Sequence, residues 1–309
     1  MGVSGFFRTI IKKYPFIHTP APNPSIPISY LFIDFNAFIY NTITNFPPNL
    51  SFDFSKETEI KKFENKLIEL VILDTLNLVN NILKPSKLLY IAVDGVPPLA
   101  KMVQQRDRRY KKPTLDKILN SPIKYDTNRV TPGTYLMTQL NKEFTKIIEK
   151  KKFGDISVVY DGSNIPGEAE HKYLKLIESI KTNPKENYCI VSEDADVILL
   201  TLRFPQKNVF VLKKVPGDKT LENVYKDQLY IYLDCKKFID ALYGDAEKQY
   251  GGMSGLLRKF GRNVELNEES EKKAFLVDYV FLTFLEGNDF VKTIYFIKMK
   301  EDQMRTPLG

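Results

Sequence analysis

The sequence predicts an α/β fold, a largely parallel central sheet flanked by helices, on two observations. Short continuous apolar runs recur along the chain, and segments with helical spacing separate most of them. Runs that are apolar at every position suit strands of a parallel sheet, which is covered on both faces.

The elements follow in order. Residues 18–27 (HTPAPNPSIP) are proline-rich and read as a loop leading into the sheet. ISYLFID, ending at Asp34, is the first buried strand, and 56–84 carries helical periodicity. KLLYIAVD, ending at Asp94, is the second strand; 98–112 reads as a basic helix and 134–152 as another. ISVVYDG (156–162) is a third strand, followed by a helix from Gly167 to about Thr182. NYCIVSED (187–194), NVFVLKK (208–214) and YIYLD (230–234) complete the strands, with a short helix over 195–203. The stretch 241–270 is more polar and contains glycines, and is expected to be an irregular surface insertion. Residues 271–287 form a last, strongly apolar helix. No repeat or low-complexity segment divides the chain, so residues 1–309 are expected to be one domain.

The net charge of +7 and pI near 9.0 favour a polyanionic partner. Cys189 and Cys235 have no CxxC spacing, which argues against a disulfide framework or a zinc knuckle. An intracellular, reducing location is expected, the cytoplasm ahead of the nucleus. No run is long enough for a membrane helix, and the first residues lack a signal-peptide layout, so no membrane partner is expected. His18 and His171 are the only histidines, so a histidine-built zinc site or a Ser-His-Asp triad would have to rely on one of them. Carboxylates are plentiful and point to hard cations, Mg²⁺ or Mn²⁺.

Acids cluster where strands end. Asp34 and Asp94 close the first two strands. Glu168 and Glu170 follow the third, Asp194 and Asp196 follow the fourth, and Asp289 ends the last helix. Each alone suits a turn or a helix cap. Residues two apart do not share a helical face, so each pair must straddle a loop–helix junction if both members point inward. Together, these carboxylates at one sheet edge would repel and raise one another's pKa, and divalent cations are the simplest compensation. Two ions about 4 Å apart can activate water and hold the leaving oxygen of a phosphodiester, with no protein nucleophile.

A basic segment, KMVQQRDRRYKK, starts seven residues after Asp94. Lys101, Gln105, Arg108, Arg109 and Lys112 fall on one face of a helix. A lone charged run is often only a solvated face. Beside a metal centre, this one suits a second phosphate, with Arg supplying a fork and Lys a point charge.

These residues resemble the XRN 5′→3′ exoribonuclease family. The carriers, in order, are MGVSGFFRTIIKKYP at the start, DFNAFIYN (34–41), DGVPPLAKMVQQRDRRY (94–110), IPGEAEHK (165–172), SEDADVILL (192–200) and FLEGNDF (284–290). The resemblance implies a PIN/flap-endonuclease-like fold and an enzyme that hydrolyses single-stranded RNA to mononucleotides from a 5′-monophosphate end. It implies that Asp34, Asp94, Glu168, Glu170, Asp194, Asp196 and Asp289 are its catalytic, metal-holding acids, with two Mg²⁺ or Mn²⁺ ions. It further implies that Lys101, Gln105, Arg108 and Arg109 hold the 5′-phosphate. Tyr40 stands where the family usually has a histidine that stacks near the terminal base, and a tyrosine keeps that capacity. Leu99 replaces a basic residue, Ala169 replaces a glycine, and the likeness fades at Lys292 and Thr293. The family continues with a second conserved region that is missing here, as expected of a compact variant, a fragment, or a chain whose protein partner supplies that region. Two other readings remain open: a structure-specific flap-type nuclease of DNA or RNA, and a non-catalytic RNA-binding relative.

Overall fold

A computed structural model of the chain describes residues 6–119, 124–215, 221–222, 225, 228–259, 267–285 and 287. In chain order the elements are α1 (Phe6–Lys13), β1 (His18–Ala21), β2 (Tyr30–Asp34), α2 (Phe35–Thr44), α3 (Glu57–Asn77), β3 (Leu88–Ala92), α4 (Leu99–Ile118), α5 (Tyr135–Glu149), β4 (Ser157–Asp161) and α6 (Ala169–Ser179). They continue with β5 (Asn187–Val191), α7 (Asp196–Thr201), β6 (Asn208–Lys214), β7 (Tyr230–Asp234), α8 (Cys235–Tyr250), α9 (Gly252–Lys259) and α10 (Glu268–Phe284). The fold is α/β, with mostly parallel pairing and flanking helices. The chain divides into two compact units, Ile28–Lys181 and the joined segments Met1–Pro27 and Thr182–Gly309.

In the unit Ile28–Lys181, β2, β3 and β4 pair in parallel, with Tyr30 opposite Leu88 and Leu88 opposite Ser157. Leu31, Phe32, Ile33, Leu89 and Ile91 have no exposed surface, which explains why these strands read as unbroken apolar runs. Helix α3 buries Phe63, Leu67, Ile68, Val71 and Thr75 on one stripe and carries Glu57 and Glu59 in its first turn, where the helix dipole favours acids. Thr134 caps α5 by accepting from the Met137 N–H. The sequence pattern assigns nothing to 35–44, yet α2 follows β2 without a linker. Its buried residues Phe35, Ile39 and Thr42 keep helical spacing, hidden in the sequence because FNAFIYN prolongs the apolar run of the strand.

In the other unit, β5 and β6 pair in parallel, and β7 is antiparallel to both β6 and β1. This corrects the loop expected over 18–27: His18–Ala21 is a strand, with Pro20 opposite Ile231. Proline is tolerated in a strand bonded on one side only, where no ladder hydrogen bond is lost. The irregular stretch expected over 241–270 is also corrected where it is described; residues 260–266 lie outside the described residues. Residues 241–250 continue α8, whose N-cap Asp234 accepts from the Lys237 N–H at 3.0 Å. Gly251, at φ +70°, caps the C-terminus of α8, and α9 follows. Gly251 is a helix stop, and Gly252 opens the next helix. Asn267 caps α10, which begins at Glu268 and ends at Phe284. Cys189 and Cys235 are free and fully buried, and burial pushes the Cys235 thiol up to about 12. Among the described residues no helix is long and apolar enough to cross a membrane.

Candidate functional site

The acids of the unit Ile28–Lys181 stand at the carboxyl ends of its parallel strands, where such sheets place ligands. Asp34 is the last residue of β2 and the N-cap of α2, but its side chain does not cap that helix. Asp94 lies two residues past the end of β3 rather than closing it. The reason is Asn36: its side-chain oxygen takes the Asp94 N–H at 3.2 Å, so that N–H does not extend the ladder. The Asn36 amide also donates to Asp94 Oδ2 at 3.0 Å. The Ala169 N–H donates to Asp94 Oδ1 at 2.8 Å, tying β3 to the start of α6.

Glu168 is the N-cap of α6 and Glu170 lies in its first turn, so the pair straddles a loop–helix junction as the spacing required. Glu168 is buried and pairs with Lys101 of α4, Nζ to Oε2 at 3.0 Å. Its other oxygen, Oε1, is buried with no hydrogen-bond partner. The Asp94 carboxyl is pushed above its ordinary range. Burial is the largest cause; the Ala169 N–H opposes it, the charge of Glu168 adds to it, and Lys101 and Lys172 oppose it. A buried orphaned carboxylate oxygen beside a second destabilised carboxylate is a donor set that fits a hard divalent cation.

Three glycine-bearing or basic features brace this corner. The Gly95 N–H donates to Gly167 O at 2.9 Å and the Gly167 N–H to Val96 O at 3.0 Å. Gly167 has φ +109°, a conformation that side chains rarely adopt. Lys172 pairs with Asp161 at 2.8 Å and donates to Val93 O at 2.8 Å and Ile165 O at 2.9 Å, its side chain only 6% exposed. The lysine thus joins the ends of β3 and β4 to the loop before α6. Lys172→Met should cost about 3–5 kcal/mol, because it leaves the buried Oδ1 of Asp161 without its ion pair. Urea unfolding of the variant checks this; an unchanged midpoint would refute the bracing role.

The predicted basic face is divided by the structure. Lys101 turns toward Glu168 and is largely buried. Arg109 donates to Gln105 at 3.4 Å, and Arg108 is exposed. Tyr40 on α2 faces the same group: burial raises its hydroxyl pKa, the charge of Asp94 adds, and Arg108 and Arg109 oppose. Tyr40 still exposes 42% of its surface. Sequence reasoning gave no role to Asn36, although it stood in the quoted DFNAFIYN block, nor to Lys172 in IPGEAEHK.

In the other unit, Asp194 lies three residues past β5 and Asp196 opens α7, again straddling a junction. The Ser192 hydroxyl oxygen accepts the Asp194 N–H at 3.2 Å, and Asp194 Oδ1 accepts the Asp196 N–H at 3.2 Å. Lys213 donates to Asp194 O at 3.0 Å. Asp289 lies outside the described residues.

Residues 1–215 match a protein-family model described as XRN 5′-3′ exonuclease N-terminus. The chain belongs to that family. The match takes in Asp34, Asp94, Glu168, Glu170, Asp194 and Asp196 and stops before Asp289. Among XRN relatives, the chain is 27% identical over 328 residues to 5′-3′ exoribonuclease 1 of Homo sapiens, covering 98% of this chain and 18% of that protein. It is 26% identical over 317 residues to 5′-3′ exoribonuclease 1 of Saccharomyces cerevisiae, covering 95% and 19%. It is 28% identical over 363 residues to 5′-3′ exoribonuclease 2 of Candida glabrata, covering 98% and 34%. The chain therefore spans between 18% and 34% of the length of these relatives. Among solved structures, it is similar to the catalytic core of Rad2 in complex with DNA substrate, at 13% identity and TM-score 0.41, covering 95% of this chain and 64% of that one. A likeness that slight does not bear on substrate.

Proposed function

We propose that the chain carries the centre of a metal-dependent 5′→3′ exoribonuclease acting on 5′-monophosphorylated single-stranded RNA. The observation that carries this reading is the buried Glu168 Oε1, left without a partner among carboxylates at the carboxyl ends of parallel strands. Asp34, Asp94, Glu168 and Glu170 hold cations, and Asp194, Asp196 and Asp289 keep the ligand role that the family resemblance gives them. Bound as a pair, Mg²⁺ or Mn²⁺ would supply Lewis acidity and a deprotonated water for phosphodiester hydrolysis. The side chains contribute the rest. Asn36 and the Ala169 N–H fix the Asp94 carboxylate, so that ligand geometry is set before substrate arrives. Arg108, Arg109 and Gln105 hold the terminal phosphate, and Tyr40 offers its exposed ring to the terminal base. Lys101 stays near the acids, balancing their charge.

The test is degradation of matched RNAs bearing 5′-monophosphate or 5′-hydroxyl ends, with single-stranded and flap DNA as further substrates, in Mg²⁺ and in Mn²⁺. Mononucleotide release from the monophosphate RNA is expected. Intact RNA in both metals, or cleavage confined to flap DNA, would overturn the reading. Arg109→Ala should reduce the preference for monophosphate over hydroxyl ends by about 10- to 100-fold, the weight of a charge-assisted hydrogen bond. An unchanged end preference would remove Arg109 from the phosphate pocket.

A further inference from the structure

We propose that His171 supplies an imidazole nitrogen to the cation held by Glu168 and Glu170, so that this site favours Mn²⁺ over Mg²⁺. This rests on the nuclease reading and adds a ligand to it. Glu168, Glu170 and His171 each offer a ligand atom, and these atoms lie within 4.8 Å of one another. All three come from the first turn of α6 and its cap. His171 Nδ1 is 3.9 Å from Glu170 Oε1.

Glu168 gives the second, independent observation. Lys101 occupies its Oε2, while Oε1 is buried and orphaned, so one oxygen is neutralised and the other is left for an ion. Donors about 2.1 Å from one ion stand about 3.0 Å apart at right angles and about 4.2 Å apart when opposite. A spread of up to 4.8 Å is wider than that, and binding would draw the donors together. The imidazole can supply that movement, since its side chain is 50% exposed and its contact with Glu170 is long, at 3.9 Å.

The donor chemistry sets the selectivity. Mg²⁺ prefers oxygen and gives up water reluctantly, whereas nitrogen donors raise the affinity of transition ions. A mixed carboxylate–imidazole site should gain more for Mn²⁺ than for Mg²⁺. His171 is well suited to a clean test, because His18 is the only other histidine. His18 is buried in the other unit, its Nδ1 2.6 Å from the Tyr225 hydroxyl.

The experiment is pulsed electron paramagnetic resonance of Mn²⁺ bound to the tag-free protein, read for coupling to directly bound ¹⁴N, with Mn²⁺ and Mg²⁺ affinities from titration and competition. Wild type should show the nitrogen coupling. His171→Gln should lose it, with Mn²⁺ affinity falling about tenfold and Mg²⁺ affinity by less than about threefold. The His171 side chain is half-exposed, and the variant's thermal unfolding and circular dichroism must match wild type. Mn²⁺ bound without nitrogen coupling, or coupling that survives in His171→Gln, overturns the His171 ligand and leaves the nuclease reading standing. A wild-type protein that binds no Mn²⁺ overturns the cation reading on which both rest.

Discussion

Asp94→Asn should abolish cleavage, lowering the single-turnover rate by about a thousandfold or more while leaving a folded protein. The reason lies in what each oxygen does. Oδ1 accepts the Ala169 N–H and Oδ2 accepts the Asn36 amide, so both oxygens face donors. An asparagine amide has one acceptor and one donor. Whichever way it turns, an N–H meets an N–H. Turning Asn36 over does not help, because its oxygen is needed by the Asp94 main-chain N–H. The substitution therefore costs about 1–3 kcal/mol in an unpaired donor, and it also removes the negative charge beside Glu168. The decisive measurement pairs rate with metal affinity. A variant that recovers the wild-type rate at saturating Mn²⁺ would show that Asp94 only gathers the ion. A variant that matches wild type at low Mn²⁺ as well would remove Asp94 from the site.

The sequence was legible where the physics is local. Unbroken apolar runs marked β2 and β3, since strands covered on both faces carry no alternation. The rule that residues two apart diverge on a helix placed Glu168 and Glu170 across the cap of α6, and Asp194 and Asp196 across the start of α7. What stayed hidden depends on distant partners. Asn36 reaches a residue 58 positions away, and Lys172 takes a carbonyl 79 positions away. Neither link leaves a trace in local periodicity. The spacing of Lys101, Gln105, Arg108 and Arg109 placed them on one helical face but could not say what that face meets. The structure turns Lys101 onto Glu168 and leaves Arg108 exposed. Proline concealed β1, and glycine concealed the end of α8, because both are read first as loop signals and only pairing or capping shows otherwise.

Gly95→Ala should be the most destabilising single methyl that this site can receive. The added Cβ would stand 1.8 Å from Ile165 O, 2.8 Å from Ile165 C and 3.1 Å from the Pro166 Cα. All three are backbone atoms, so no side chain can swing aside. Relief requires separating the loop after β3 from the loop before α6. Those loops exchange the two Gly95–Gly167–Val96 hydrogen bonds, and the next residues carry the Ala169-to-Asp94 bond and Glu168. The expected cost is about 4 kcal/mol or more, which at about 2–4 °C per kcal/mol lowers the melting temperature by about 10 °C. Gly133→Ala separates this cause from simple backbone strain. Gly133 has φ +87° and nothing within 4 Å of a built Cβ, so its substitution costs only about 1–2 kcal/mol of conformational energy. Cleavage measured well below both melting temperatures should then fall for Gly95→Ala and hold for Gly133→Ala. The first displaces the segment that aims Glu168, and the second strains a turn ahead of α5. Equal losses of stability with equal activity would mean that the close approach of Gly95 to Ile165 does not position the acids.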